Sequence, residues 1–223
     1  MNKKTGGKHM KSNIRYSILG DSISTYVGVS NNPETNPTIG MNPAFYRPPF
    51  PKEKTYWNLV AREIGLTLCV NNSWSGGNLS GELDPSSGVN RAGELTDADG
   101  NSPDLVIVFM GINDLGRRVD PNVFSEDYVK ALTTIKSNHP DAKVCCVNIP
   151  DRDPILKKGA ALFNSLIASA VDMHGDNFFV ADLFSSRLNN DFYYMNTLDG
   201  LHPDEDGMKI IAEVVAEAIK ENM

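Results

Sequence analysis

Leu105-Val106-Ile107-Val108-Phe109-Met110 is an unbroken apolar run of strand length, followed at once by Gly111-Ile112-Asn113-Asp114. A strand with water on one face alternates apolar and polar residues. A run without alternation is the pattern of a strand covered on both faces, as in a parallel sheet between helices. Working outward, residues 14–19 (IRYSIL), 66–71 (LTLCVN), 143–149 (KVCCVNI) and Phe178–Leu183 read as four further strands. Helical spacing lies between them. Tyr56–Ile64 is stopped by Gly65. Tyr128, Ala131, Leu132 and Ile135 line one face of a helix with Ser125 as its expected N-cap, ending before His139-Pro140. Phe163, Leu166, Ile167, Ala170 and Val171 line a helix closed by Gly175, and Ile211, Val214, Val215, Ala218 and Ile219 line the last one. Strands alternating with helices predict an α/β fold with a parallel, five-stranded sheet. Residues 28–53, rich in Asn, Pro and Gly, read as a long loop that could cover a site at the sheet edge. Residues 84–103 read as a second loop, in which Asp97-Ala98-Asp99-Gly100 is a turn, because the other ligands of a calcium loop are missing.

The chain has 223 residues, with 21 basic against 28 acidic side chains and a formal net charge of −7. This length suits one domain, read as residues 13–223, with residues 1–12 a leader or cloning remnant. A chain of this size buries enough surface to need neither disulfide nor metal for its core. The acidic balance argues against nucleic acid as the main partner, since phosphate neutralisation needs clustered Lys and Arg. Three cysteines, Cys69, Cys145 and Cys146, make no disulfide framework and lack the spacing of a zinc site. No stretch approaches the 18 apolar residues of a membrane span. The opening MNKKTGGKHMKSN has no apolar core of a signal peptide. The expected location is the cytoplasm if the chain is native as given, or outside it if a leader has been removed.

In parallel sheets the ligand sits beyond the C-terminal strand ends, so the residues just after each strand decide the chemistry. They are Gly20-Asp21-Ser22-Ile23-Ser24, Asn72-Ser73-Trp74-Ser75-Gly76-Gly77, Gly111-Ile112-Asn113-Asp114 and Pro150-Asp151-Arg152-Asp153, with Asp199-Gly200-Leu201-His202-Pro203 before the last helix. Of four histidines, His9 lies in the leader, and His139 and His174 sit at helix C-termini, where the dipole favours a cation. His202 stands in a turn three residues after a carboxylate. A hydroxyl, an imidazole, a carboxylate and amide donors on one edge are the groups that acyl transfer requires.

These blocks resemble the SGNH hydrolases, the GDSL-type esterase and lipase superfamily. The match runs through Gly20-Asp21-Ser22-Ile23, then Val70 to Gly76, then Gly111-Ile112-Asn113-Asp114, then Asp199-Gly200-Leu201-His202-Pro203, in the family's order and over nearly the whole chain. The resemblance implies a flavodoxin-like three-layer α/β/α sandwich and hydrolysis of esters or thioesters through an acyl-serine, with no metal or cofactor. It implies Ser22 as nucleophile, His202 as base and Asp199 as its orienting carboxylate. The backbone N–H groups of Ser22 and Gly76 and the side chain of Asn113 would form the oxyanion hole. Asp21 and Asp114 would bond loop N–H groups. Where Trp74 stands the family usually has a small or aliphatic residue, so Trp74 either packs the sheet edge or walls the pocket. Arg117, Arg118 and Arg152 either meet the substrate or pair with nearby carboxylates. The substrate class expected is a small-molecule ester of a short acyl group, plausibly acetyl on a carbohydrate. The alternatives are a lysophospholipase or acyl-thioesterase, or a catalytically silent binding module.

Overall fold

The computed structural model describes residues 13–30, 47–150, 157–186 and 196–223. Five strands, β1 (Ile14–Gly20), β2 (Leu66–Ser73), β3 (Leu105–Phe109), β4 (Lys143–Val147) and β5 (Phe178–Ala181), form one sheet in the order β2-β1-β3-β4-β5, every pair parallel. The helices are α1 (Tyr56–Ile64), α2 (Gly88–Arg91), α3 (Ile112–Gly116), α4 (Pro121–Asn138), α5 (Lys157–His174) and α6 (Glu205–Asn222). They cover both faces. α1 packs with α6, and α4 packs with α5. The central run behaves as its composition dictates: all five residues of β3 are buried. Below and above it lie Tyr56 and Trp57 of α1, Phe124 and Tyr128 of α4, and Ile211 and Val215 of α6, all buried.

The element boundaries differ from the sequence reading where local chemistry decides them. α4 starts a turn before Ser125: Asp120 is its cap, its side chain accepting from Asn122 N–H at 2.8 Å, and Pro121 fills the first helical position. Proline suits that place because its missing N–H would be an orphan there anyway. Residues 84–103 contain the short helix α2, and Asp97 closes the expected turn by accepting from the N–H groups of Asp99 and Asn101. Within 28–53 the described part includes one 3-10 turn at Lys52–Lys54. Residues 31–46 and the proposed leader lie outside the described residues. His139 does occupy the C-cap of α4, but not as a dipole-favoured cation. It is buried, neither ring nitrogen has a partner among the described residues, and burial lowers its pKa.

One irregularity prepares the functional edge. The register between β1 and β2 runs Tyr16↔Leu68 and then Ile18↔Asn71, so β2 carries one extra residue. The Ser17 hydroxyl fills the gap, accepting from Val70 N–H at 3.2 Å and donating to Leu95 O at 2.8 Å. Such bulges bend a strand locally and re-aim its end. Here the bulge brings Asn72 and Ser73 alongside Leu19 and Gly20.

Candidate active site

β1 ends at Gly20, and the residue there has to be small. A Cβ on Gly20 would lie 2.6 Å from Ser73 Oγ and 2.7 Å from Ser24 Cβ. The chain then turns tightly, Ser24 N–H donating to Asp21 O at 3.0 Å and Ile23 N–H to Asp21 Oδ1 at 3.0 Å. Ser22 sits in this turn. Its carbonyl accepts from Thr25 Oγ1 at 3.0 Å, and its own N–H has no acceptor among the described residues.

The loop before α6 delivers the imidazole. Asp199 Oδ1 accepts from the N–H groups of Leu201 (3.0 Å) and His202 (2.8 Å), which folds the loop back on its own carboxylate. Asp199 Oδ2 lies 2.7 Å from His202 Nδ1, and His202 Nε2 lies 3.0 Å from Ser22 Oγ. The three side chains, 180 positions apart at their extremes, thus form one hydrogen-bonded line. Burial would raise the Asp199 pKa, but the His202 N–H, the His202 ring and the Leu201 N–H outweigh it and hold the carboxyl below its ordinary range. It therefore stays ionised and is placed to accept from Nδ1–H; in the tautomer that carries that proton, Nε2 is the acceptor facing the hydroxyl.

Two further segments carry the other expected site residues. Gly76 takes φ +72°, a left-handed conformation in which a side chain is strained, while a Cβ there would meet nothing nearer than Arg117 Nη2 at 3.4 Å. Its glycine is thus required by conformation more than by crowding. Its N–H, like that of Ser22, has no acceptor among the described residues. Asn113, on α3, donates from Nδ2 to Gly77 O at 3.0 Å and lies 3.4 Å from Asp21 Oδ2. Asp114 is buried and accepts from the N–H groups of Leu79 (2.7 Å) and Ser80 (2.9 Å). Burial raises its pKa against those two bonds.

Trp74 is half-buried, its ring centroid 5.7 Å from Arg91 Cζ. Arg117 pairs with no carboxylate among the described residues. Its Nη1 donates to Gly76 O at 2.6 Å and to Asn78 Oδ1 at 2.5 Å. Arg152 lies outside the described residues. Arg91 escaped sequence reasoning altogether. Only 2% exposed, it donates to Ser86 O, Asn72 O and Gly20 O, beneath the turn that carries Ser22. Burial lowers its pKa to about 10, against the pull of Asp21 and Glu94, so it stays charged at neutral pH. An arginine among small residues (Gly88-Val89-Asn90-Arg91-Ala92-Gly93) carries no local sign of such a role. Among the described residues no group of three or more His, Cys, Asp or Glu side chains could hold a metal ion.

A parallel sheet between two helical layers defines a three-layer α/β/α fold, and its polar side chains gather at the strand C-termini, where such folds bind their ligands. The chain belongs to the GDSL-like lipase/acylhydrolase family, whose model matches residues 18–210, and is a hydrolase acting on esters. No curated protein matches it in sequence. Among solved structures it is similar to a GDSL-like lipase from Bacteroides ovatus (19% identity, TM-score 0.69), covering 95% of this chain and all of that one. It is also similar to a family two carbohydrate esterase from Clostridium thermocellum, solved with cellohexaose (19%, TM-score 0.68, 93% of this chain and 64% of that one). A carbohydrate esterase family 2 enzyme from Corynascus thermopiles (Myceliophthora fergusii) is comparable (21%, TM-score 0.66, 94% and 66%).

Proposed function

We propose that the protein hydrolyses short-chain carboxylic esters through an acyl-enzyme on Ser22, with acetyl esters borne by carbohydrates as the substrate class. One observation carries the mechanism: the line from Asp199 Oδ2 through the imidazole of His202 to Ser22 Oγ, at 2.7 and 3.0 Å. In the first step Ser22 Oγ attacks the ester carbonyl carbon as its proton passes to His202 Nε2. The negative charge on the former carbonyl oxygen is met by the N–H groups of Ser22 and Gly76 and by Asn113 Nδ2. Collapse of this intermediate breaks the bond to the alcohol, which takes the Nε2 proton and leaves. Water then repeats the sequence on the acyl-serine: Nε2 takes its proton, the acid forms, and the proton returns to Ser22 Oγ. Asp199 keeps Nδ1 protonated throughout and stabilises the imidazolium. The substrate class draws its support from the likeness to carbohydrate esterases of family two and from the polar character of the strand-end loops.

The test is a panel of p-nitrophenyl acetate, butyrate and octanoate, followed by acetylated sugars against lysolipids, with Ser22→Ala as control. Turnover should be fastest on acetate, extend to acetylated sugars, and vanish in the control. Turnover unaffected by that substitution would remove Ser22 from the reaction. Preference for octanoate and lysolipids would replace the substrate class with a longer acyl chain.

A further inference from the structure

We infer that Arg117 is a positioning residue that sets the oxyanion hole by tying the Gly76 loop to the helix carrying Asn113; this rests on the hydrolytic reading above. The two segments come from different parts of the chain, the end of β2 and the helix after β3, and something must hold them in register. Three hydrogen bonds do so. Asn113 Nδ2 reaches Gly77 O at 3.0 Å. Arg117 Nη1 reaches Gly76 O at 2.6 Å and Asn78 Oδ1 at 2.5 Å. Arg117 is itself fixed to Asn113 through its backbone, its N–H donating to Asn113 O at 2.9 Å as the C-cap of α3. One residue therefore grips the main chain of one proposed donor and the carbonyl of the other.

The grip falls on a glycine. Gly76, at φ +72°, carries no side chain to pack, and glycine is the residue type with the most backbone freedom. The guanidinium holds the Gly76 carbonyl and so limits rotation of the segment whose N–H is the proposed donor. An oxyanion donor works over a narrow range, roughly 2.7–3.1 Å, and a shift of about 1 Å in a reacting group can cost on the order of 10²-fold. Arg117 is also exposed, and exposed charged contacts contribute little to global stability. Its loss should therefore register in turnover and not in folding. A substrate contact would behave in the opposite way, raising KM.

The experiment compares wild type, Arg117→Ala and Arg117→Lys on p-nitrophenyl acetate, an uncharged ester with no carboxylate or phosphate for a guanidinium to pair with. Arg117→Ala should lower kcat about 10- to 100-fold, change KM by less than about twofold, and unfold within a few degrees of wild type. Arg117→Lys keeps the charge but shortens the reach, and should stay at least about fivefold below wild type. A raised KM with kcat intact would make Arg117 a substrate contact and overturn the proposal. So would wild-type kinetics in Arg117→Ala, or full kcat in Arg117→Lys, which would make charge and not the tie the operative property. A large fall in unfolding temperature accompanying the kcat loss would likewise reassign Arg117 to general stability. Failure of the hydrolytic reading is distinct from all of these: it shows as no turnover by wild type, or as turnover surviving Ser22→Ala.

Discussion

A single amide decides how much of the proposed reaction depends on the oxyanion hole. Asn113 Nδ2 has two hydrogens; one is directed to Gly77 O at 3.0 Å, and the other makes a longer contact with Asp21 Oδ2 at 3.4 Å that a developing charge beside Ser22 would displace. Removing one such donor typically costs about 10²–10³ in kcat. Asn113→Ala should show that loss with a wild-type circular dichroism spectrum, and kcat near wild type would take Asn113 out of the hole. Ser22, Asn113, Asp199 and His202 were legible in the sequence because each falls in a short motif directly after a strand or before a helix. In such a place a motif's chemistry is set by neighbours in the chain. Arg117 was legible as a residue but not in its contacts. A carboxylate partner looked as reasonable as a substrate, and the actual partners, a carbonyl and a side-chain amide 39 to 41 positions away, leave no trace in local pattern.

The strand ends are held together by a residue that belongs to none of the strands. Arg91, on the four-residue helix α2, donates to the carbonyls of Gly20 at the end of β1, Asn72 near the end of β2, and Ser86 in the loop before α2. A neutral replacement takes a charged donor from the carbonyls of Asn72 and Ser86, at about 1–3 kcal/mol each, while Gly20 O keeps the N–H of Trp74 at 3.2 Å. It also strips Asp21 of a nearby positive charge. Arg91→Met should therefore destabilise the fold by at least about 3 kcal/mol in urea unfolding, in line with the cost of removing one partner from a buried charged network. Arg91→Lys should recover less than half of this, since an ammonium cannot serve three separated carbonyls as a planar guanidinium does. A change under about 1 kcal/mol in Arg91→Met would contradict the account. At the same scale, Asp204 caps α6 by accepting from Asp206 N–H at 3.0 Å and Gly207 N–H at 2.8 Å. Its replacement by alanine should cost roughly 1 kcal/mol by the same measurement. Elements of this kind separate what periodicity reveals from what it hides. The long helices and all five strands follow from apolar spacing, and their stops from Gly65 and Gly175. The start of α4 was misplaced because Ser125 and Asp120 are both acceptable caps, and only Pro121 distinguishes them. α2 was invisible because four residues carry no period.

Across the whole molecule, the net charge of −7 conceals carboxylates that pull stability in opposite directions with pH. Asp199 and Asp182 have lowered pKa values, each through hydrogen bonds that outweigh burial. Their contribution is present above the ordinary carboxylate range and is lost in strong acid. Asp21 is the reverse. Burial is the largest cause, opposed by the Ile23 N–H and Arg91 and reinforced by Asp114, and the pKa rises from 3.8 to about 7. Between those values the folded state holds a proton that the unfolded state has released, so ionising Asp21 makes folding less favourable as pH rises from about 4 to about 7. The full difference corresponds to roughly 4 kcal/mol, an upper bound. Buried His139 acts oppositely over part of this window. Its folded pKa lies below the unfolded one, so its contribution is lost as pH falls, and the wild-type curve alone would mix the two. The Asp21→Asn variant separates them. Asparagine keeps an oxygen for Ile23 N–H and places an amide against Asn113 Nδ2, a fixed offset that does not titrate. The stability of Asp21→Asn relative to wild type should therefore climb between pH 4 and pH 8, by as much as about 4 kcal/mol, and level off above about pH 8. Urea unfolding of both proteins at one-unit pH intervals reads this slope directly, and a difference that stays constant across the range would show that Asp21 is ionised in the folded protein throughout.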